Sequence, residues 1–313
     1  MTDTRSAADI SLCICTFRRP AQIDALLQAL YRQTALHRLR EIIVVDNDPG
    51  RSAAPVLERH AALCPVPLVA AHCPEPNISL ARNTAIQQAS GTWIAIIDDD
   101  ETPVAEWLHH LIGLAQAQAA DGIFGPVVPL YPDATPAWII EGRYFERRRL
   151  PTGAPVPRTD VRSGNVLLRR SLLLQEPGPF DPAFGLTGGS DTLLFCRLLD
   201  RQARFLWCDE AVVHEPVEPG RATLRWLLKR AYRGGQSFIR VSALTTPGWR
   251  KPLRLAWLLG RAALQLPVAL ILALGCWPWN PVRAIHYTRL ASAQCGKLSA
   301  ALGLHYQEYR QRT

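Results

Sequence analysis

The sequence predicts an α/β fold: a doubly wound, mostly parallel sheet, followed by a helical, basic, membrane-associated C-terminal region. Short apolar runs rich in β-branched residues alternate with helical patterns through residues 1–220, as is typical of right-handed parallel units. Residues 221–313 differ in charge, because they carry 15 Lys and Arg against one acid, a net charge of +14. They also contain a long uncharged apolar stretch at 262–279. The chain therefore predicts an α/β domain at 1–220 and a basic helical tail at 221–313.

The individual elements follow from local patterns. Buried parallel strands are predicted for ISLCICT, EIIVVD, PLVAAH and TWIAIID, residues 10–16, 41–46, 67–72 and 92–98. Pro20 fits the first turn of one helix, and Asn77 caps a second. Thr102 is expected to cap a third helix with Pro103 at its first position. RSGNVLLRR predicts another strand and helix, a helix begins near Ser190, and ARFLW and AVVHEP predict a last strand pair.

The cysteines and the N-terminus indicate the compartment. Eight cysteines are scattered without a Cys-x-x-Cys unit, so neither a zinc site nor a disulfide framework is indicated. The N-terminal MTDTRSAADI lacks the apolar stretch of a signal peptide. We therefore expect reduced thiols and a cytoplasmic α/β domain.

The apolar stretch 262–279 favours a membrane surface as the partner of the basic tail. Eighteen apolar residues are at the lower limit for spanning, and Pro267 and Gln265 weaken a spanning helix. Basic residues flank both ends, which suits an interfacial or re-entrant segment with both ends cytoplasmic. A buried helix of a soluble protein is the alternative. Nucleic acid is not expected as a partner, because the uncharged block interrupts the basic face.

Several polar residues are predicted at one edge of the sheet. Thr16, Asp46 and Asp98 to Asp100 follow apolar strands, and open α/β sheets bind ligands at the carboxyl ends of their strands. No glycine-rich phosphate loop is present, so phosphate charge would be met by metal and side chains. Asp98 and Asp100 are expected to point the same way and to suit Mg²⁺ or Mn²⁺. The alternative is that Asp100 and Glu101 only favour a helix N-terminus.

Six ordered motifs resemble those of the family-two inverting glycosyltransferases. They are CTFRRP at 15–20, VVDND at 44–48, NISLARN at 77–83, IIDDDE at 96–101, GGSD at 188–191 and VVHEP at 212–216. The local sequences and LLKRAYRGGQS in the tail are most similar to the succinoglycan-type exopolysaccharide glucosyltransferases of bacteria. The resemblance implies a nucleotide-diphospho-sugar transferase fold over about the first 220 residues.

The resemblance also implies roles for particular residues. Asp191 would be the general base, and Asp100 and His214 would contact the divalent metal, Mg²⁺ or Mn²⁺. The irregular, Pro- and Arg-rich connection at 131–160 would shape the acceptor side. The residues expected to bind the nucleotide-sugar are Thr16, Arg18, Asp46, Arg82, Asn83, Asp98 and Asp99.

The chain departs from the family beside the expected base. Ser190 and Leu193 occupy positions that are usually acidic, which leaves open a catalytically impaired nucleotide-sugar-binding or scaffold protein. Asp191 could also simply cap the following helix. A metal-dependent nucleotidyltransferase is a further alternative. Gln236 is not followed by the Arg-Trp pair of processive synthases, which favours addition of one sugar.

The implied function is transfer of glucose, or a related hexose, from a UDP-sugar to a lipid-linked oligosaccharide in bacterial exopolysaccharide or cell-surface polysaccharide biosynthesis. The expected location is the cytoplasmic face of the inner membrane.

Overall fold

The structure is a computed structural model that describes residues 8–304 and 306. The chain forms two compact units. Unit 1 contains residues 1–128, 147–185 and 190–215, and unit 2 contains 129–146, 186–189 and 216–313. The chain passes from unit 1 to unit 2 for the last time at residue 216, close to the boundary predicted at residue 220. Unit 2 also contains two earlier segments of the chain.

Most strands of unit 1 form one seven-stranded sheet. Its order is β3-β2-β1-β4-β8-β6-β9, with β8 antiparallel to β4 and β6 and the other pairs parallel. The strands are β1 (Ile10–Thr16), β2 (Leu39–Asp46), β3 (Leu68–His72), β4 (Trp93–Ile96), β5 (Thr102–Pro103), β6 (Gly122–Phe124), β7 (Val127–Leu130), β8 (Val166–Arg169), β9 (Phe205–Trp207) and β10 (Val213–Pro216). The mostly parallel sheet is confirmed.

Helices cover both faces of the large sheet, so the doubly wound arrangement is confirmed. The helices are α1 (Pro20–Leu30), α2 (Ala54–Ala61), α3 (Ile78–Gln88), α4 (Trp107–Ala117), α5 (Ala137–Glu141), α6 (Arg170–Leu173), α7 (Ser190–Asp200), α8 (Leu224–Thr245), α9 (Lys251–Cys276) and α10 (Pro281–Ala301). Alternate residues of β1 enter opposite cores: Leu12 packs with α1, α2 and α4, whereas Cys13 packs with α3 and α7. Pro20 and Asn77 begin α1 and α3 as predicted.

Two predictions about local structure are wrong. Thr102 does not cap a helix, because Thr102 and Pro103 form β5 and α4 begins only at Trp107. β9 and β10 are not a pair, because β9 joins the large sheet while β10 lies between β5 and β7 in a three-stranded sheet. In both cases a partner distant in sequence overrides the local signal.

Unit 2 is helical in its C-terminal part. Helix α10 packs against both α8 and α9, and a small apolar core includes Ile139, Tyr144, Leu227 and Ile285. Among the described residues, α9 is the one helix long and apolar enough to cross a membrane. It contains most of the apolar stretch predicted from sequence and continues through Pro267 without a break.

Candidate active site

The topology brings the predicted polar residues to one edge of the large sheet. β1 pairs with β2 so that Thr16 lies opposite Asp46, and β4, on the other side of β1, leads into Asp98. The chain from β1 continues to β2 on one side, while β4 lies on the other, so this is the switch point where open α/β sheets bind ligands. We call the residues at these strand ends the site edge.

Asp99 and Asp100 converge on one arginine. Thr16 Oγ1 donates to Asp99 Oδ2 at 2.8 Å, and Arg19 Nη1 donates to Asp99 Oδ1 at 2.9 Å and to Asp100 Oδ2 at 2.8 Å. Burial raises the pKa of Asp99 to about 6, with Asp100 adding to the effect and Arg19 and Thr16 opposing it. Asp99 therefore connects Thr16 of β1 to Arg19 at the site edge. Asp98 and Asp100 were expected to point the same way, but in the structure it is Asp99 and Asp100 that share a hydrogen-bond donor.

Asp98 is the acid of this run that solvent reaches most. Its side chain is 45% exposed, and its Oδ1 lies 3.4 Å from Arg82 Nη2. Even so, the surrounding protein raises the pKa of Asp98 by desolvation, and Asp100 and Asp191 raise it further, while Arg82 and Arg147 lower it. A carboxylate that is accessible and surrounded by other acids is well suited to meet a cation or a ligand hydroxyl.

Glu101 does not act at a helix N-terminus, so that interpretation is wrong. It is 2% exposed, and its Oε2 accepts the backbone N–H of Asp98 at 3.1 Å. Burial, followed by the charge of Asp98, raises the pKa of Glu101 well above its usual value. Glu101 thus fixes the backbone from which Asp98 projects.

A glycine allows this arrangement. A Cβ atom on Gly164 would lie 2.9 Å from Glu101 Oε1 and 3.1 Å from Asp98 Oδ2. The next residue, Asn165, has a left-handed φ of 56° and accepts a hydrogen bond from Trp107 Nε1 at 2.7 Å. The Gly-Asn pair before β8 was a sequence signal for such a turn, but nothing local indicated its partners.

Backbone pairing brings His214 next to the acidic run. In the antiparallel pair of β10 and β5, His214 lies opposite Thr102. Thr102 comes two residues after Asp100 in the sequence. Its neighbour Glu215 accepts a hydrogen bond from Arg147 Nη2 at 2.8 Å. Arg147 also lowers the pKa values of Asp98 and Glu101, so it adds positive charge beside them. Sequence reasoning missed Arg19, Arg147 and Glu215.

The residues present fit a divalent cation that shares its coordination with a ligand. Within residues 8–304 and 306, no group of three or more His, Cys, Asp or Glu is gathered to hold a metal. Asp100 offers carboxylate oxygens, which suit Mg²⁺ or Mn²⁺, and His214 offers a ring nitrogen, which suits Mn²⁺ better than Mg²⁺; either ion keeps several positions for water or phosphate. Desolvation and neighbouring carboxylates raise the pKa values of Asp98 and Asp99, so positive charge bound beside them would favour their ionised forms.

Asp191 lies in the first turn of α7, as predicted. Its Oδ1 accepts the N–H of Thr192 at 2.7 Å, and its other oxygen has no hydrogen-bond donor among the residues that the structure describes. Its charge is the smallest of the influences that raise the pKa of Asp98, after desolvation and Asp100. Ser190 and Leu193 are 2% and 1% exposed, so the two usually acidic positions face the protein interior here.

The remaining residues predicted to bind the nucleotide-sugar form hydrogen bonds with residues close to them in the sequence or in the neighbouring turn. Asp46 accepts the backbone N–H groups of Asp48 at 3.0 Å and Ala53 at 2.8 Å, one on each oxygen. Arg18, with a left-handed φ of 57°, donates from Nε to Asp48 Oδ1 at 3.0 Å. Asp46 ends β2 and Arg18 lies in the turn after β1, and their contact with the nucleotide-sugar remains a prediction.

Asn83 is not brought to the site edge with the others. Its Nδ2 donates to the carbonyl oxygen of Phe180 at 2.8 Å, and its Oδ1 accepts the N–H of Phe180 at 2.9 Å. The Arg82 guanidinium carbon lies 5.4 Å from the centre of the Phe180 ring. Asn83 therefore positions Phe180, which in turn contacts Arg82.

Comparisons with known proteins agree with this geometry. Glycosyl transferase family 2 matches residues 11–174. The chain is 33% identical over 299 residues to the succinoglycan biosynthesis protein ExoM of Rhizobium meliloti (strain 1021), covering 94% of this chain and 93% of that protein. It is 24% identical over 251 residues to the glycosyltransferase AglE of Haloferax volcanii, covering 80% of each.

Two solved structures share the fold. The mannosyltransferase PcManGT of Pyrobaculum calidifontis, in complex with GDP-Man and Mn²⁺, superposes with a TM-score of 0.63 at 20% identity, over 94% of this chain and 88% of that one. TarS of S. aureus in complex with UDP superposes with a TM-score of 0.54 at 16% identity, over 96% and 93%. The matched family covers more than half of the chain, and the resemblance predicted from its motifs is confirmed: this protein is a glycosyltransferase that belongs to glycosyl transferase family 2.

Proposed function

We propose that this enzyme transfers one hexose, glucose, from a UDP-sugar to a lipid-linked oligosaccharide during bacterial exopolysaccharide biosynthesis, at the cytoplasmic face of the inner membrane. The observation that carries the proposal is Asp191 in the first turn of α7, with one carboxylate oxygen that accepts no hydrogen bond from the residues that the structure describes. The similarity to ExoM supports the pathway. The TarS complexes with UDP and UDP-GlcNAc, on the same fold, support a UDP-sugar donor.

Asp191 would act as the general base. The acceptor hydroxyl oxygen attacks the anomeric carbon, and the hydroxyl proton passes to the Asp191 oxygen that accepts no hydrogen bond from the described residues. The bond between the anomeric carbon and the diphosphate oxygen breaks in the same step. A single displacement of this kind inverts the configuration, so an α-linked donor gives a β-glycoside. A positioned carboxylate contributes about 10²- to 10⁴-fold to such a step.

The site edge would bind the donor. Asp46 and Asp98 would contact the nucleoside, and Thr16 and Asp99 would hold the base of the pocket. Arg18 lies in the turn after β1, Arg82 lies in α3 beside Asp98, and both can meet phosphate oxygens. Mg²⁺ or Mn²⁺, when bound through Asp100 and His214, would neutralise the charge of the leaving diphosphate.

A transfer assay tests the proposal. Membrane lipid extract is incubated with the enzyme, Mn²⁺ and UDP-glucose, UDP-galactose, UDP-GlcNAc or GDP-mannose in turn, and products are measured by mass spectrometry. We expect transfer from UDP-glucose, reduced about 10²- to 10⁴-fold by Asp191→Asn, with UDP binding retained. Equal transfer by wild type and Asp191→Asn would contradict the base assignment. UDP binding without transfer from any donor would favour a nucleotide-sugar-binding scaffold.

Metal binding provides a separate prediction. Because the described residues supply few ligands, Mn²⁺ alone should bind weakly, and UDP should tighten it at least about tenfold by the reciprocity of linked binding. Titration of Mn²⁺ by electron paramagnetic resonance, with and without UDP, measures this. Asp100→Asn should abolish the effect of UDP, whereas Asp121→Asn, an acid outside the site edge, should leave it unchanged. Equal Mn²⁺ affinity with and without UDP would contradict the shared site.

A further inference from the structure

Helix α9 has an inverted distribution of apolar side chains. Its buried residues Leu258, Ala262, Ala269 and Ala273 lie on one side of the helix and are mostly small. The opposite side carries large apolar side chains that are more than half exposed: Leu253, Trp257, Leu264, Val268 and Ile271. A helix in a water-soluble bundle buries its large residues, so this exposed stripe requires an apolar partner.

The neighbouring helix α10 limits how far α9 can enter a membrane. Residues 277–280 turn the chain from α9 into α10, and α10 packs back against α9. Burial, and then the charge of Arg261 in α9, lower the pKa of Lys297 in the last turns of α10. α10 therefore accompanies the apolar part of α9, with Arg283 and His286 exposed on it.

A charged segment, residues 141–146, contacts the hairpin of α9 and α10 near its turn. Tyr144 Oη donates to the carbonyl oxygen of Val282 at 2.7 Å, and the half-buried guanidinium carbon of Arg289 lies 4.8 Å from the centre of the Tyr144 ring. The segment that holds Tyr144 also carries exposed Glu141 and Arg143. If α9 crossed the bilayer, α10 and this segment would be drawn into hydrocarbon with all of these charges, which is strongly unfavourable.

The charged and aromatic residues in the first part of α9, and the two residues just before it, suit a headgroup layer. The Arg250 guanidinium carbon lies 4.4 Å from the ring centre of Trp249, and those of Arg254 and Arg261 lie 5.2 and 5.3 Å from that of Trp257. Trp249 is 71% exposed. Tryptophan and arginine side chains of this kind lie at membrane–water interfaces, and the net charge of +14 in 221–313 complements anionic lipid.

We propose that α9 lies in the plane of an anionic membrane, with its large apolar side chains in the acyl boundary and α10 on the aqueous side, and does not span the bilayer. This inference rests on the proposed location of the enzyme at the inner membrane and specifies how it is held there. The ligand is a bilayer surface with anionic headgroups, bound by one helix face in the manner of monotopic proteins.

Vesicle flotation of the full chain tests the lipid-facing stripe. The protein should float with phosphatidylcholine vesicles that contain phosphatidylglycerol, and Leu264→Glu with Ile271→Glu should weaken this partition at least about tenfold. Leu63→Glu, an equally exposed leucine outside unit 2, is the matched control and should have no effect. Circular dichroism confirms that the variants fold. Unchanged flotation of the folded double variant would overturn the proposal.

Labelling from each side of the membrane separates lying from spanning. Arg283→Cys near the hairpin turn and Glu58→Cys on α2 are treated with a membrane-impermeant maleimide in right-side-out and inside-out vesicles, and labelled peptides are identified by mass spectrometry. Both should react from the same face. Reaction of Arg283→Cys from the opposite face, or from neither, would overturn the proposal. Sugar transfer is measured in parallel, so an inactive enzyme with the expected topology counts against the proposed function alone.

Discussion

The hydroxyl group of Thr16 makes a contact at residue scale that can be tested without substrate. It donates to the buried carboxylate of Asp99, whose pKa burial raises to about 6. Thr16→Val removes this donor while nearly preserving side-chain shape, so the free energy of unfolding should fall by about 1–3 kcal/mol at pH 8. Thr16→Ser keeps the hydroxyl and should lose less than half as much. Urea denaturation measures both, and equal losses would show that packing, rather than the hydrogen bond, matters.

Gly164 supports a second prediction at this scale. An added methyl group would lie within 3.1 Å of carboxylate oxygens of both Glu101 and Asp98, so Gly164→Ala should displace the site edge and reduce transfer at least about tenfold. Gly113 lies within α4 with no atom within 4 Å of an added Cβ. Gly113→Ala is therefore the control, expected to keep activity and to stabilise the fold by about 0.5–1 kcal/mol. Normal transfer by Gly164→Ala would show that the site edge tolerates the shift.

The acidic run at 98–101 could be predicted as a site from sequence, because its position after an apolar strand and its charge density are local properties. The hydrogen-bond donors and the neighbouring residues that give each acid its role could not be predicted. Arg19 comes from the turn after β1, and Gly164 comes from the turn before β8. Such partners are close only in the folded chain, so composition and spacing contain no signal for the pairing.

Glu41 links three elements in unit 1. It lies in β2 and accepts hydrogen bonds from Ser11 Oγ of β1 at 2.6 Å and from Ser90 N and Oγ, beyond α3, at 2.8 and 2.9 Å. Burial raises the pKa of Glu41, but the hydrogen bonds outweigh burial and leave the pKa below its usual value. The link therefore adds stability above the unfolded-state pKa of about 4.3, and this contribution is lost as pH falls through the lower folded-state pKa.

Glu41→Gln should remove that part of the pH dependence. Wild type should lose stability more steeply than the variant below about pH 4.3, and the variant should be less stable at neutral pH. Urea unfolding between pH 3 and 7 measures the difference. Glu58→Gln, an exposed acid of α2, controls for the change in net charge. Parallel curves for wild type and Glu41→Gln would contradict the link.

At element scale, long apolar strands and helices with clear N-terminal signals were predictable. The strands at β1 to β4 and the capped start of α3 depend on period and capping chemistry, which the sequence states directly. Thr102 with Pro103 carried an equally good helix-start signal, yet pairing with β10 decided its conformation. Two-residue strands gain their stability from a partner, so they leave little local pattern to detect.

At the scale of the whole molecule, charge is divided unevenly along the chain. Residues 1–220 have 20 basic against 26 acidic side chains, a net of −6, whereas 221–313 have +14. Binding to anionic vesicles should therefore weaken about tenfold between roughly 0.1 and 0.5 M NaCl, as screening shortens the reach of surface charge. Vesicles of phosphatidylcholine alone provide the control and should show little salt dependence. Salt-independent binding to the anionic vesicles would contradict an electrostatic contribution from the tail.

The pairing of β5 with β10 also has a consequence for the order in which the protein is made. Thr102 leaves the ribosome long before its partner His214, so a growing chain can complete β1 to β4 while the edge that holds Asp98 to Asp100 still lacks its last strand. Contacts between distant residues form late because closing a long loop costs entropy. During synthesis, metal-dependent binding of the diphosphate should therefore appear only after β10 has emerged, which makes catalytic competence one of the last properties that unit 1 acquires.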